Sequence, residues 1–189
     1  MTGAGSSSPW PYAPELLDAE LAQYLGDAAA PAVQSLVTRC PPWTVREITV
    51  HLTCTFSRFH DMLRQGRAGD FTPPFEPGQL TAENLRAVDA YQGDDPCGEL
   101  RAVVTGFRSA LRGGQELMPH QLGPIPVALQ VLFGINELAI HHDDVAAAAG
   151  QRYQPPPRTL AVLISLWQRR AGPDVTAWPE ILRTTGRTA

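Results

Sequence analysis

Apolar residues recur at three- and four-residue steps along most of the chain. No stretch alternates strictly between apolar and polar positions, so the pattern predicts helices and no sheet. Leu16, Leu17, Leu21, Tyr24, Leu25, Ala28, Val33, Leu36 and Val37 place a first helix over about 13–39. Pro31 should kink it and Cys40-Pro41-Pro42 should end it, because the residue before a proline avoids the helical region. Thr44 followed by Glu47 is a capping-box pair that opens a second helix to about residue 64. Its apolar stripe is Val45, Ile48, Leu52, Phe56, Phe59 and Leu63. Residues 66–80, with three prolines and two phenylalanines, form a loop long enough to cover a site. A third helix starts at Thr81, stalls over 92–98 at Gly93 and Pro96, and resumes over 99–111. The fourth, over 126–149, is the most apolar and closes on Gly150. A shorter helix covers 158–170, and the tail carries a short helix or docked extension around 178–182. The fold class that follows is all-α, a four-helix bundle with an additional short C-terminal helix. The Gly/Ser/Pro-rich residues 1–12 read as a disordered lead-in, and 13–189 as a single helical domain.

Composition narrows the function. The net charge is −4, with no basic surplus to neutralise phosphates, which excludes a nucleic-acid partner. No apolar run reaches the ~18 residues of a membrane span. The N-terminus lacks a basic segment followed by an apolar one, so the expected location is the cytoplasm. Cys40, Cys54 and Cys97 are odd in number and widely spaced, with no CxxC pair, which excludes a disulfide framework and a Cys-rich zinc site. They read as reduced, structural thiols. The expected partner is a small-molecule substrate, with a homodimer through a helix face left open.

The chemistry concentrates in the fourth helix. Glu137 and His141 are four residues apart and share one face, and Asp144 lies three residues further along it. Leu129, Val131, Leu132, Ile135 and Leu138 surround them, and a buried glutamate needs a partner or a metal. Two readings stay open: a hydrogen-bonded acid–histidine pair, or two ligands of a divalent ion. A third ligand must come from another helix. His51 sits between Val50 and Leu52 in the apolar second helix, whereas His60 lies nine residues on and faces the other way. Taken alone, His51 reads as a satisfied core histidine as readily as a ligand. His142 is turned about 100° from His141 around the helix, and an extra metal contact from it stays open.

Cys40-Pro41-Pro42-Trp43-Thr44-Val45-Arg46-Glu47 with His51-Leu52 resembles a signature of the DinB-like metal-binding bundles. It is more closely similar to the N-terminal domain of mycothiol-dependent maleylpyruvate isomerases. Glu137, His141, Asp144 and Val145, running on to Gly150, resemble that family's second signature, and Thr185-Gly186-Arg187 its ending. The resemblance implies a bundle that holds a divalent metal, zinc first and nickel, iron or manganese as alternatives, through His51, Glu137 and His141. Such a site keeps open positions and activates a low-molecular-weight thiol, typically mycothiol. It implies that Asp144 orients the neighbourhood of His141 or a ligand. Arg58 would contact an anionic substrate, with a solvated helix residue as the alternative, and Trp43 reads as a packing residue. The sequence departs from the pattern at His142-Asp143, which replaces a small-aromatic pair. The 189 residues also leave no room for the C-terminal domain of the two-domain isomerases. The expected activity is therefore metal-dependent thiol S-transfer or isomerisation of an electrophilic small molecule, in specialised metabolism. The alternatives are a thiol-independent metal-dependent hydrolase, lyase or isomerase, and a non-catalytic helical binding module.

Overall fold

The computed structural model describes residues 9–187, and residues 1–8 of the expected lead-in lie outside them. Helix α1 (Glu15–Ala28) buries Leu16, Leu17, Leu21, Tyr24 and Leu25. The expected first helix ends there, well short of residue 39. Pro31 has no N–H to continue the ladder, and the chain restarts only as the four-residue α2 (Pro31–Gln34). It then runs as a loop in which Val37 bridges Thr44 and the Thr38 hydroxyl donates to the Trp43 carbonyl at 2.7 Å. Val37, which continues the helical spacing in sequence, is 74% exposed.

Helix α3 (Val45–Arg67) opens on the capping box: the Thr44 N–H donates to Glu47 Oε2 at 2.7 Å, and the Glu47 N–H donates back to the Thr44 hydroxyl at 3.4 Å. Helix α4 (Leu80–Asp89) follows the loop, and α5 (Pro96–Ala110) begins where Asp95 accepts from the Gly98 N–H at 2.9 Å. The absence of sheet needs correction. Strand β1 (Leu117–Met118) pairs antiparallel with β2 (Ile125–Pro126), two residues each, too short for an alternating pattern to register. Helix α6 (Val127–Ala148) is buried on nearly every side. Gly150 follows at φ 69°, and α7 (Pro157–Ala171) and α8 (Trp178–Thr184) complete the chain.

Helices α1, α3, α5 and α6 form the bundle, α1 and α3 each lying against both α5 and α6. Tyr24, Phe56, Phe107, Leu52 and Leu132 are fully buried at its centre, each aliphatic or phenylalanine side chain contributing about 1.5–3 kcal/mol. Gly134 lets α6 approach α1 and α3: a Cβ there would meet Leu17 Cδ2 and Phe56 Cε1 at 3.1 Å. At the other end of α3, a Cβ on Gly66 would stand 2.5 Å from the Leu117 carbonyl oxygen, so β1 is seated on the helix terminus. Because β1 pairs with β2, and β2 leads into α6, α6 starts beside the end of α3 and runs back along it. The two helices are therefore antiparallel, with the end of α6 beside the start of α3.

Of the remaining lead-in, Pro9 accepts from Arg169 Nη2 at 3.1 Å, and the Arg169 guanidinium lies 4.7 Å from the Trp10 ring. Among the described residues no helix is long and apolar enough to cross a membrane.

Candidate functional site

Where the start of α3 meets the second half of α6, three donors converge. His51 Nε2 is 3.5 Å from Glu137 Oε2, and His141 Nε2 is 3.7 Å from the same oxygen. One ligand atom from each of the three lies within 4.8 Å of the other two. Four ligands at about 2.1 Å around a tetrahedral ion stand about 3.4 Å apart, so these residues could hold a divalent metal with little movement.

Burial tunes the donors. It pushes the His51 pKa down, against the opposing pull of Glu137, so the ring is neutral at neutral pH. Burial pushes Glu137 up, but hydrogen bonding from His51 and the positive potential of His141 and Arg187 outweigh it, and its carboxyl titrates below the usual range. Trp43 stacks on the His51 ring at 4.8 Å with an interplanar angle of 27°, which fixes the ring plane. Both imidazoles thus turn Nε2 toward one carboxylate oxygen.

Asp144 sets the orientation of His141. Its Oδ2 lies 3.0 Å from His141 Nδ1, so Nδ1–H donates to it and Nε2 is left for the triad. The fully buried Asp144 is itself gripped by Arg187, with Nε donating to Oδ1 at 2.7 Å and Nη2 to Oδ2 at 2.6 Å, and by Arg39 Nε at 3.3 Å. Burial raises its pKa, but His141 and Arg187 together hold it far below the carboxylate range. Arg39 also pairs with Asp143. Cys40 joins His141 and Asp144 in a second group of ligand-type atoms within 4.8 Å. That group does not suit a cation, because two guanidiniums already occupy the Asp144 carboxylate. Burial, with Asp144 beside it, pushes the Cys40 thiol up, and all three cysteines are free thiols.

A cavity of about 390 Å³ opens beside the triad, large enough for a small-molecule ligand. Phe59, Met62, Phe133 and Trp167 give it apolar walls. Arg58 enters it, donating to Asn84 Oδ1 at 3.0 Å and lying 5.3 Å from the Phe75 ring. Arg170 lines the same space between the rings of Trp167 and Phe133, at 5.1 and 5.5 Å. Among the described residues neither arginine has a carboxylate partner, and both remain available to an anion. The 66–80 loop contributes Pro74 and Phe75 to the wall.

The structure therefore gathers His51, Glu137, His141 and Asp144, and places Arg58 on the adjoining wall. His142 faces elsewhere: its Nε2 is 2.7 Å from Asp27 Oδ2, and its ring packs on Tyr153 at 4.0 Å, away from the triad. His120 stacks on Phe133 at 5.5 Å on the cavity wall. Arg187 and Arg39 escape local sequence reasoning because they reach Asp144 from distant segments.

The sequence family described as the mycothiol maleylpyruvate isomerase N-terminal domain matches residues 15–146, a span that contains the triad and Asp144. The crystal structure of the mycothiol-dependent maleylpyruvate isomerase is similar in fold, with a TM-score of 0.62 over 83% of this chain and 70% of that one, at 14% sequence identity. No curated protein sequence matches the chain. The all-α helical bundle expected from the sequence is thus also the architecture of that enzyme. From the matched span and the shared fold together, the chain belongs to the mycothiol maleylpyruvate isomerase N-terminal domain family.

Proposed function

We propose that this protein is a metal-dependent enzyme that activates a low-molecular-weight thiol of the mycothiol type for S-transfer to, or isomerisation of, an electrophilic small molecule. The observation that carries the reading is the convergence of two imidazoles and one carboxylate at the edge of a ligand-sized cavity. A divalent ion, zinc first, held by His51, Glu137 and His141 would keep open positions and supply Lewis acidity that draws a thiol pKa toward neutrality. Asp144 keeps His141 in the tautomer that presents Nε2, and Arg187 keeps Asp144 ionised. Trp43 and the apolar walls exclude water from the His51 side. Arg58 holds an anionic group of the electrophile, its guanidinium already oriented by Asn84 and Phe75. The family supports the thiol, since the similar solved enzyme is mycothiol-dependent.

The test is metal content by elemental mass spectrometry on wild type and on folded His51→Ala, Glu137→Ala and His141→Ala proteins, followed by turnover assays with and without thiol. About one divalent ion per chain, lost in each variant, with turnover only when thiol is present, is the expected result. Wild-type protein that takes up no zinc or nickel refutes the metal reading. Turnover that proceeds equally without thiol makes the protein a hydrolase or lyase instead.

A further inference from the structure

We propose that the cavity wall between α3 and α6 carries a neutral hydrogen-bonding subsite, Thr55 and Gln130, that reads the amide and hydroxyl groups of an extended low-molecular-weight thiol. The inference rests on the thiol reading above and adds the residues that select the thiol.

Thr55 is 5% exposed and Gln130 is 1% exposed, and both line the cavity. Neither Thr55 Oγ1 nor Gln130 Oε1 has a hydrogen-bond partner among the described residues, and each atom exposes less than 1 Å², so a ligand meets them once the two side chains turn toward the cavity. Their neighbours show what is missing. In the same helix, the hydroxyls of Thr49 and Thr53 return to the carbonyls four residues back, at 2.8 and 2.9 Å. On α6, Asn136 Oδ1 accepts from Trp167 Nε1 at 2.8 Å. A buried polar group left unpaired is costly, and two on one cavity wall mark a place where a ligand completes the bonding. Gln130 presents an unpaired amide oxygen, so the ligand brings an N–H or O–H there. The Thr55 hydroxyl can donate or accept.

Register gives the shape of the ligand. Thr55 lies four residues beyond His51, and Gln130 seven residues before Glu137. Because α3 and α6 are antiparallel, both displacements run the same way, toward the β1–β2 hairpin. At 1.5 Å per residue the two groups lie about 6 and about 10 Å from the triad along the bundle. A sulfur at the triad therefore places one polar group of a linear molecule beside Thr55 and a second beside Gln130. Phe59 and Met62, eight and eleven residues beyond His51, line the cavity farther along the same wall, so competition from water is low. Both residues are uncharged and match amides and hydroxyls, whereas an anion is drawn to Arg58 and Arg170.

The test is calorimetric titration of the full chain, loaded with zinc, using three probes. Ethanethiol has no polar group, N-acetylcysteamine has one amide close to sulfur, and pantetheine adds a second amide and hydroxyls farther out. Thr55→Val should weaken N-acetylcysteamine and pantetheine by about three- to tenfold, the effect of one neutral hydrogen bond. Gln130→Met should weaken pantetheine by a similar factor and leave N-acetylcysteamine within about twofold. Neither should change ethanethiol binding or zinc content, and Thr55→Ser should restore the wild-type pattern. The ligand-free melting temperature of Thr55→Val should hold or rise, since an unpaired hydroxyl is removed. Pantetheine binding unchanged in both variants, with zinc retained, overturns the subsite alone. Zinc-loaded wild type that binds none of the three probes overturns it together with the thiol reading.

Discussion

Replacing Asp144 with asparagine tests the site through a residue that does not line the cavity. The carboxylate is fully buried and takes four hydrogen bonds: two from Arg187, one from Arg39 and one from His141. Asparagine keeps one acceptor and puts an N–H₂ where a second was. That group faces the guanidinium of Arg187 or the Nδ1–H of His141, so at least one charge-assisted bond becomes a donor facing a donor. Arg187 is also left largely buried with no paired carboxylate, Glu137 being the remaining acidic side chain that acts on it. Breaking one side of a buried pair costs about 3–5 kcal/mol, and the acceptor that remains should reduce this to about 2–4 kcal/mol. A urea titration of the metal-free protein reads that number. Loss of the partner that orients a histidine ligand weakens metal affinity by about 10–100-fold, which a chelator competition with zinc measures on the folded variant. If Asp144→Asn matches wild type in both stability and zinc affinity, the grip of Arg187 on Asp144 does not orient His141. A double-mutant cycle with Arg187→Met should give a coupling of at least about 1 kcal/mol.

Three further outcomes follow from other parts of the fold. Arg67 donates to Glu116 through Nε and Nη2, at 2.5 and 2.9 Å, and this bonding holds the Glu116 pKa below its ordinary value against an opposing effect of burial. A depressed carboxylate stabilises the fold fully above its unfolded pKa, about 4.3, and this contribution is lost as pH falls through the lower folded value. Glu116→Gln should therefore cost about 1 kcal/mol at neutral pH and flatten the stability profile below about pH 4.3; a profile parallel to wild type contradicts it. Gly134→Val should destabilise by about 1–3 kcal/mol in urea, because its side chain meets Leu17 and Phe56, and a neutral result would mean that α1 and α3 have room to yield. Phe75→Ala, or deletion within the 66–80 loop, should change KM or kcat, and unchanged kinetics would remove the loop from the site.

The legible parts of this sequence are those where local signals agree. Helix α3 is announced by Thr44 and Glu47 and carried by its apolar stripe, and the structure closes both hydrogen bonds. Helix α6 is announced by the highest density of apolar residues in the chain and its end by Gly150. The first helix misled because Val33, Leu36 and Val37 keep a helical spacing across Pro31, while the backbone there turns to pair Val37 with Thr44. The hairpin was invisible, since two-residue strands have no period. In the candidate site, Glu137, His141 and Asp144 were readable from spacing on one helix. His51 needed the resemblance, because an apolar neighbourhood is equally that of a core histidine. Arg187 stood out only through the resemblance of Thr185-Gly186-Arg187 to the family's ending, because its role depends on a carboxylate 43 residues earlier.

The clasp on Asp144 also sets an order of events during synthesis. Chains emerge N-terminus first, so α3, the loop bearing Arg39, and α6 are all available before the segment that follows α8. Until that segment docks, Asp144 has only one of its two guanidiniums, and His141 is held by a carboxylate that is itself loosely held. The donor cluster therefore matures after the bundle that carries it. In the finished protein the same dependence runs in reverse: partial opening of the residues after α8, a local event far smaller than global unfolding, releases Arg187 and loosens the cluster while the four-helix core stays closed. Hydrogen exchange around His141 should thus follow the opening of the chain's last described residues rather than the melting of α3 and α6.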